Sequence, residues 1–187
     1  MQHAFTDQHG RRIHLTNLIR ATLQDWLTLA TTAHSTPVPL HTVVPHPPHI
    51  IGATNASKIG MGGFYVTMTD AGPQHYLWRP PFPNIVSNDL LSTNNPNGAY
   101  TNSNFELAAL VLGSAVITHH QPNTYQHICL ASDNTPAVSW ITKGSVTSTG
   151  PPAFLLHLLT NNRRSNKFQL TVTFMPGDTY TIPKLKQ

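Results

Sequence analysis

The sequence is short of charge, and above all of acid. Only 10% of its 187 residues are charged, and Asp and Glu together number seven; an average soluble domain is about a quarter charged. The imbalance leaves a net charge of +4 and a pI near 9.5, which argues against a strongly acidic chain and favours an anionic partner. Cysteine is nearly absent. Cys129 stands alone in an apolar run, so no disulfide framework holds the chain, as suits a reducing intracellular compartment, cytoplasm or nucleus. No stretch reaches about 18 uninterrupted apolar residues, so no membrane span or membrane partner is expected. The opening "MQHAFTDQHGRRIHL" lacks an apolar signal core.

What is present is enough apolar sequence, 39%, for one core and many loops. Residues 11–34 read as a helix, with Leu15, Leu18, Ile19, Leu23, Trp26, Leu27 and Ala30 at three- and four-residue steps. Thr16 or Asn17 stands where a cap is needed. "STPVPLHTVVPHPPH" (Ser35–His49) holds five prolines and reads as an extended linker. The chain thus divides into a helical segment, 1–34, a Pro-rich linker, 35–49, and a compact domain, 50–187.

In that domain three strands come first, at Ile50–Thr54, Gly63–Thr69 and Gln74–Trp78, read as an antiparallel meander. Gly60–Gly63 reads as a hairpin turn. A polar loop, Asn88–Ser103, leads to a helix at Asn104–His119, apolar almost all round and therefore buried. A strand at His127–Ala131, helices at Thr135–Lys143 and Pro151–Thr160, and a strand at Phe168–Phe174 follow. Strands separated by helices imply parallel neighbours. The expected fold is α/β, a mixed five-stranded sheet made of an antiparallel meander and a parallel half, flanked by helices. Trp26, Trp78 and Trp140 read as core. The run "NNRRSNK" (Asn161–Lys167) reads as a solvated loop or a phosphate contact. The twelve histidines form no zinc constellation.

This element order resembles that of the ribonuclease H-like fold, and three blocks of residues carry the resemblance further. "ATNASKIGMGG" (Ala53–Gly63) resembles a strand-one motif that normally begins Asp-Ala-Ser. "TNSNFELAALVLG" (Thr101–Gly113) resembles the helix of the catalytic glutamate, and "ASDNTPAVSWITKGS" (Ala131–Ser145) the fourth strand with its helix. "HLTNLIRATLQDWLTLA" followed by "PPHIIGA" resembles the segment joining a reverse transcriptase to its ribonuclease H domain. The nearest flavour is that of DIRS-like and related retroelements.

The resemblance implies two-metal hydrolysis of the RNA strand of an RNA–DNA hybrid, with Mg²⁺ or Mn²⁺ held by carboxylates. It places metal ligands at Glu106 and Asp133, and puts Asn55 where an aspartate is expected. An amide has the shape of a carboxylate without its charge, and its NH₂ half repels a cation. Metal binding is therefore expected to be weakened and the site degenerate. Asp178 is the one candidate for a fourth carboxylate, earlier than the usual spacing and with no terminal helix after it. Ser57, Lys58, Asn134 and Lys143 are the candidate nucleic-acid contacts. The implied partners are a hybrid or other nucleic acid and the polymerase portion of the same polyprotein. An active nuclease resting on Glu106, Asp133 and Asp178 stands as one alternative, and a non-catalytic scaffold as another. On simpler readings Glu106 caps its helix and Asp133 caps the helix at Thr135–Lys143.

Overall fold

The computed structural model describes residues 15–35, 44, 46–121, 126–147 and 150–177. The chain forms two compact units, Met1–Val44 and Pro45–Gln187. The first holds helix α1, Asn17–Ser35. Thr16 closes its start: its Oγ1 accepts from the Ile19 N–H at 3.3 Å. Trp26, expected in a core, is 59% exposed. α1 is the one described element of its unit, so among the described residues there is no second layer to bury it.

The second unit contains β1 (Ile50–Ser57), β2 (Gly60–Thr69), β3 (Gly72–Trp78), α2 (Asn84–Ser87), α3 (Asn102–His120), β4 (His127–Ser132), α4 (Thr135–Lys143), α5 (Pro151–Asn166) and β5 (Gln169–Phe174). The sheet order is β3-β2-β1-β4-β5. β1, β2 and β3 pair antiparallel, while β4 runs parallel to β1 and β5 parallel to β4. This is the expected mixed sheet and a ribonuclease H-like arrangement. Local chemistry sets it. Parallel neighbours need a long crossover, and α3 supplies the one between the meander and β4. α4 and α5 supply the next.

α3 forms the centre of the core. Leu107, Leu110 and Ile117 are fully buried, against Ile50, Tyr65, Ile128 and Leu130 from the sheet. Burying one such side chain contributes roughly 1.5–3 kcal/mol. Trp78 and Trp140 pack partly buried against this cluster. On the opposite face of the sheet, Ile51, Met68 and Leu77 are exposed; among the described residues no helix of this unit covers them.

Several boundaries differ from expectation for identifiable reasons. The β1–β2 turn is Lys58-Ile59, and the glycines expected in it stand in β2. Gly63 is required there: a Cβ would come 2.6 Å from the Ala53 carbonyl oxygen and 2.9 Å from the Trp78 ring. α5 continues to Asn166, so most of "NNRRSNK" is helix and not loop; no Gly or Pro interrupts it. The end of the Pro-rich stretch is tied down. The His49 N–H donates to the His127 carbonyl at 2.8 Å, the His127 N–H donates to His49 Nδ1 at 3.1 Å, and the His127 ring bridges the His46 carbonyl and the Thr171 hydroxyl.

Candidate active site

The candidate residues converge where β1 and β4 end. Ala53 pairs with Ala131 in the parallel register. Two residues further along each strand come Asn55 and Asp133. The last parallel pair is Ala53 with Ala131, so the strand edge beyond it has no neighbour on that side. The Ala56 N–H there is taken by a side chain: it donates to Glu106 Oε1 at 3.0 Å. Glu106 Oε2 accepts from the Ser132 hydroxyl at 3.5 Å, and Ser132 Oγ in turn accepts from the Asn134 N–H at 3.3 Å. Glu106 thus bridges the ends of β1 and β4 from beneath the sheet.

Its position in the helix is not the one expected. α3 begins with a capping box, in which Thr101 Oγ1 accepts from the Asn104 N–H and Asn104 Oδ1 accepts from the Thr101 N–H. Glu106 is therefore the fifth helical residue and caps nothing. It is 1% exposed. Burial pushes its pKa up to about 7, with Asp133's charge adding to the rise; the Ala56 N–H and the Ser132 hydroxyl work against it.

Asp133 is half-buried and does not cap α4. Asn134 does, accepting from the Ala137 N–H at 3.0 Å, so this candidate nucleic-acid contact has a structural task of its own. The chain leaving β5 crosses Asp133. A Cβ on Gly177 would lie 2.7 Å from Asp133 Oδ2, and the Met175 N–H donates to the Ser132 carbonyl at 3.0 Å. Asp178, the next residue, lies outside the described residues.

Asn55 is exposed and pairs with Gly62 of β2. Strand alternation puts it on the face of Ile51, opposite the α3 side from which Glu106 enters. It opens onto a groove of about 740 Å³ whose lining includes Ser57, Ile59, Gly62, Leu77 and Arg79. Sequence reasoning does not nominate Arg79. The signal lies in the β2–β3 register, in which its Cβ and Cγ pack 3.6–3.7 Å from where a Gly62 Cβ would be. Ser57 and Lys58 flank this groove, exposed at the end of β1 and in its turn. Lys143 closes α4, and the helix length separates it from Asn134 by about 12–14 Å.

Among the described residues no group of three His, Cys, Asp or Glu side chains stands close enough to hold a metal ion. The carboxylates that the described residues bring here are Glu106 and Asp133, and Asn55 adds only a neutral amide. One of those carboxylates already has a hydrogen-bond donor on each oxygen. The described donor set does not fit a two-metal centre.

No protein-family model and no curated protein matches the sequence. Solved structures do. A ribonuclease H1 from the halophilic archaeon Halobacterium salinarum is 13% identical, with a TM-score of 0.47 over 70% of this chain and 87% of the other. LC11-RNase H1, solved in complex with an RNA/DNA hybrid, is 11% identical, with a TM-score of 0.49 over 69% and 86%. The protease–reverse transcriptase of prototype foamy virus is 16% identical, with a TM-score of 0.47 over 76% of this chain and 19% of that one. The fold assignment rests on the strand order and pairing, not on these scores.

Proposed function

We infer that this chain carries a ribonuclease H-like domain of retroelement origin, DIRS-like or related, that binds RNA–DNA hybrids and has lost most of its power to cut them. One observation carries the reading: β1 and β4 end at the same level, β4 in a carboxylate and β1 in an exposed amide. Restoring hydrolysis there requires an anion that Asn55 does not provide, so Mg²⁺ or Mn²⁺ binds weakly. The scaffold for the nucleic acid is retained. The groove beside Asn55 has Arg79 in its wall and Lys58 in the adjoining turn, and no acid lines it. Hybrids are recognised by backbone shape and 2′-hydroxyls, which Ser57 and Asn55 can meet as neutral partners. The polymerase portion of the same polyprotein fits the exposed Leu18, Trp26 and Leu27 of α1. The test is a labelled hybrid incubated with Mg²⁺ or Mn²⁺. Binding without cleavage is expected; robust cutting overturns the reading.

A second reading has an observation of its own. A Cβ on Gly177 would come 2.7 Å from Asp133 Oδ2, and the residue after it is Asp178. A working site built from Glu106, Asp133 and Asp178 predicts that Asp178→Asn abolishes cutting.

A further inference from the structure

α5 ends in cations with no anion nearby in the chain. From Asn134 to Gly177 the sequence contains neither Asp nor Glu. Arg163, Arg164 and Lys167 fall within five residues, and all three are exposed. Arg163 and Arg164 join Thr160 and Phe168 in lining a cavity of about 260 Å³.

The topology fixes where this cluster lies. α5 runs into the start of β5, where Gln169 pairs with His127 at the start of β4. Asp133 follows the other end of β4. The cations therefore occupy the pole of the sheet opposite the carboxylates, a strand length of about 20 Å away. Asp70 follows β2 at the same pole as the cations. It is three strand spacings from β5 in the sheet order, about 14 Å.

A helix C-terminus attracts positive charge unaided, and that accounts for Arg163 and Arg164. It does not account for Lys167. Lys167 is the C-cap of α5, at φ 51° and ψ 46°, the left-handed conformation in which a Cβ is strained and glycine is relaxed. α4 follows the rule with Gly144 at φ 65°. Among the described residues Lys167 is the one non-glycine with positive φ. The chain keeps a cation where losing it would relieve strain.

We propose that Arg163, Arg164 and Lys167 form a second nucleic-acid contact, gripping hybrid backbone phosphates on the α3 side of the sheet, apart from the groove beside Asn55. The proposal rests on the hybrid-binding reading. Its charge pattern fits a phosphate backbone: three cations within about one turn and a cap, with no Asp or Glu from Asn134 to Gly177, on a basic chain.

The experiment is fluorescence anisotropy of the full chain with a labelled hybrid across a range of salt. The unaltered chain is expected to bind with a steep salt slope. R163A/R164A should reduce that slope by about 2, at about 0.9 for each phosphate no longer neutralised. Lys167→Gly should reduce it by about 1 while raising the melting temperature, because glycine relaxes the cap. Those opposite signs separate a binding residue from a cap. A raised melting temperature with unchanged slopes in both variants overturns the proposal and leaves the reading intact, with an acidic protein as the occupant to seek. Failure of the unaltered chain to bind hybrid even at low salt overturns the reading, and the proposal with it.

Discussion

The two carboxylates at the end of the sheet are held in opposite ways. Glu106 is 1% exposed, with a donor on each oxygen. Asp133 is half-buried, and a Cβ on Gly177 would come 2.7 Å from its Oδ2. They are close enough that the charge of one raises the pKa of the other. Glu106 fastens β1 to β4 whether or not a metal binds, so its removal costs folding. Position 55 is exposed and packs against nothing that needs its charge, so an amide there leaves the fold untouched. On the proposed reading, the frame of the site and its ligands are thus held by different forces.

Removing the fastener should break this contrast most strongly. Glu106→Ala leaves the Ala56 N–H and the Ser132 hydroxyl buried without an acceptor and opens a cavity; a loss of about 3 kcal/mol is expected, read from urea unfolding. A comparable change at Asp133 should be far milder. Asp133→Asn is expected to alter stability by less than about 0.5 kcal/mol, while abolishing any residual Mg²⁺ effect.

The pH dependence sharpens the comparison between these extremes. The folded pKa of Glu106 is raised to about 7 from an ordinary 4.5. Between those values the native state binds the proton more tightly than the unfolded chain. The associated stability is fully present below about pH 4.5 and is lost as pH rises through 7. Without metal, the melting temperature should fall from pH 5 to pH 8. Glu106→Gln keeps the shape and carries no charge, so this part of the pH dependence should vanish. At pH 8 the variant should exceed the unaltered protein by on the order of 2 kcal/mol. Parallel pH curves for the two proteins would show that Glu106 is not the titrating group.

Much of the fold is legible in the sequence because periodicity reports burial. The alternation in β5 and the all-round apolar face of α3 mark both elements nearly to their ends. α5 reads short because its last turns are polar, and a solvated helix end looks like a loop. The position of Glu106 in α3 is hidden for a related reason: Asn104 is a cap partner, and the pattern Thr-x-x-Asn departs from the usual Thr-x-x-Glu. At the site, Glu106, Asp133 and Asn55 can be nominated from sequence, but not their different environments. Hydrogen bonds between residues 50 apart, such as Ala56 to Glu106, leave no local mark. Arg79 escapes because its relation to Asn55 runs through the register of three strands. Trp26 looks like core because a periodic apolar helix face does not say whether a partner layer exists.

The central claim of the proposed reading is that the amide of Asn55, standing where an aspartate is expected, weakens metal binding at the ends of β1 and β4. Melting curves with and without millimolar Mg²⁺, for the unaltered chain and for Asn55→Asp, test it directly. Without metal the variant should melt slightly lower, because a third carboxylate repels the other two. With Mg²⁺ at about ten times its dissociation constant the variant should gain about 1.4 kcal/mol, or roughly 3–6 °C for a domain of this size. The unaltered chain should shift by clearly less. Equal Mg²⁺ shifts in the two proteins would contradict the claim, and would place any metal site elsewhere.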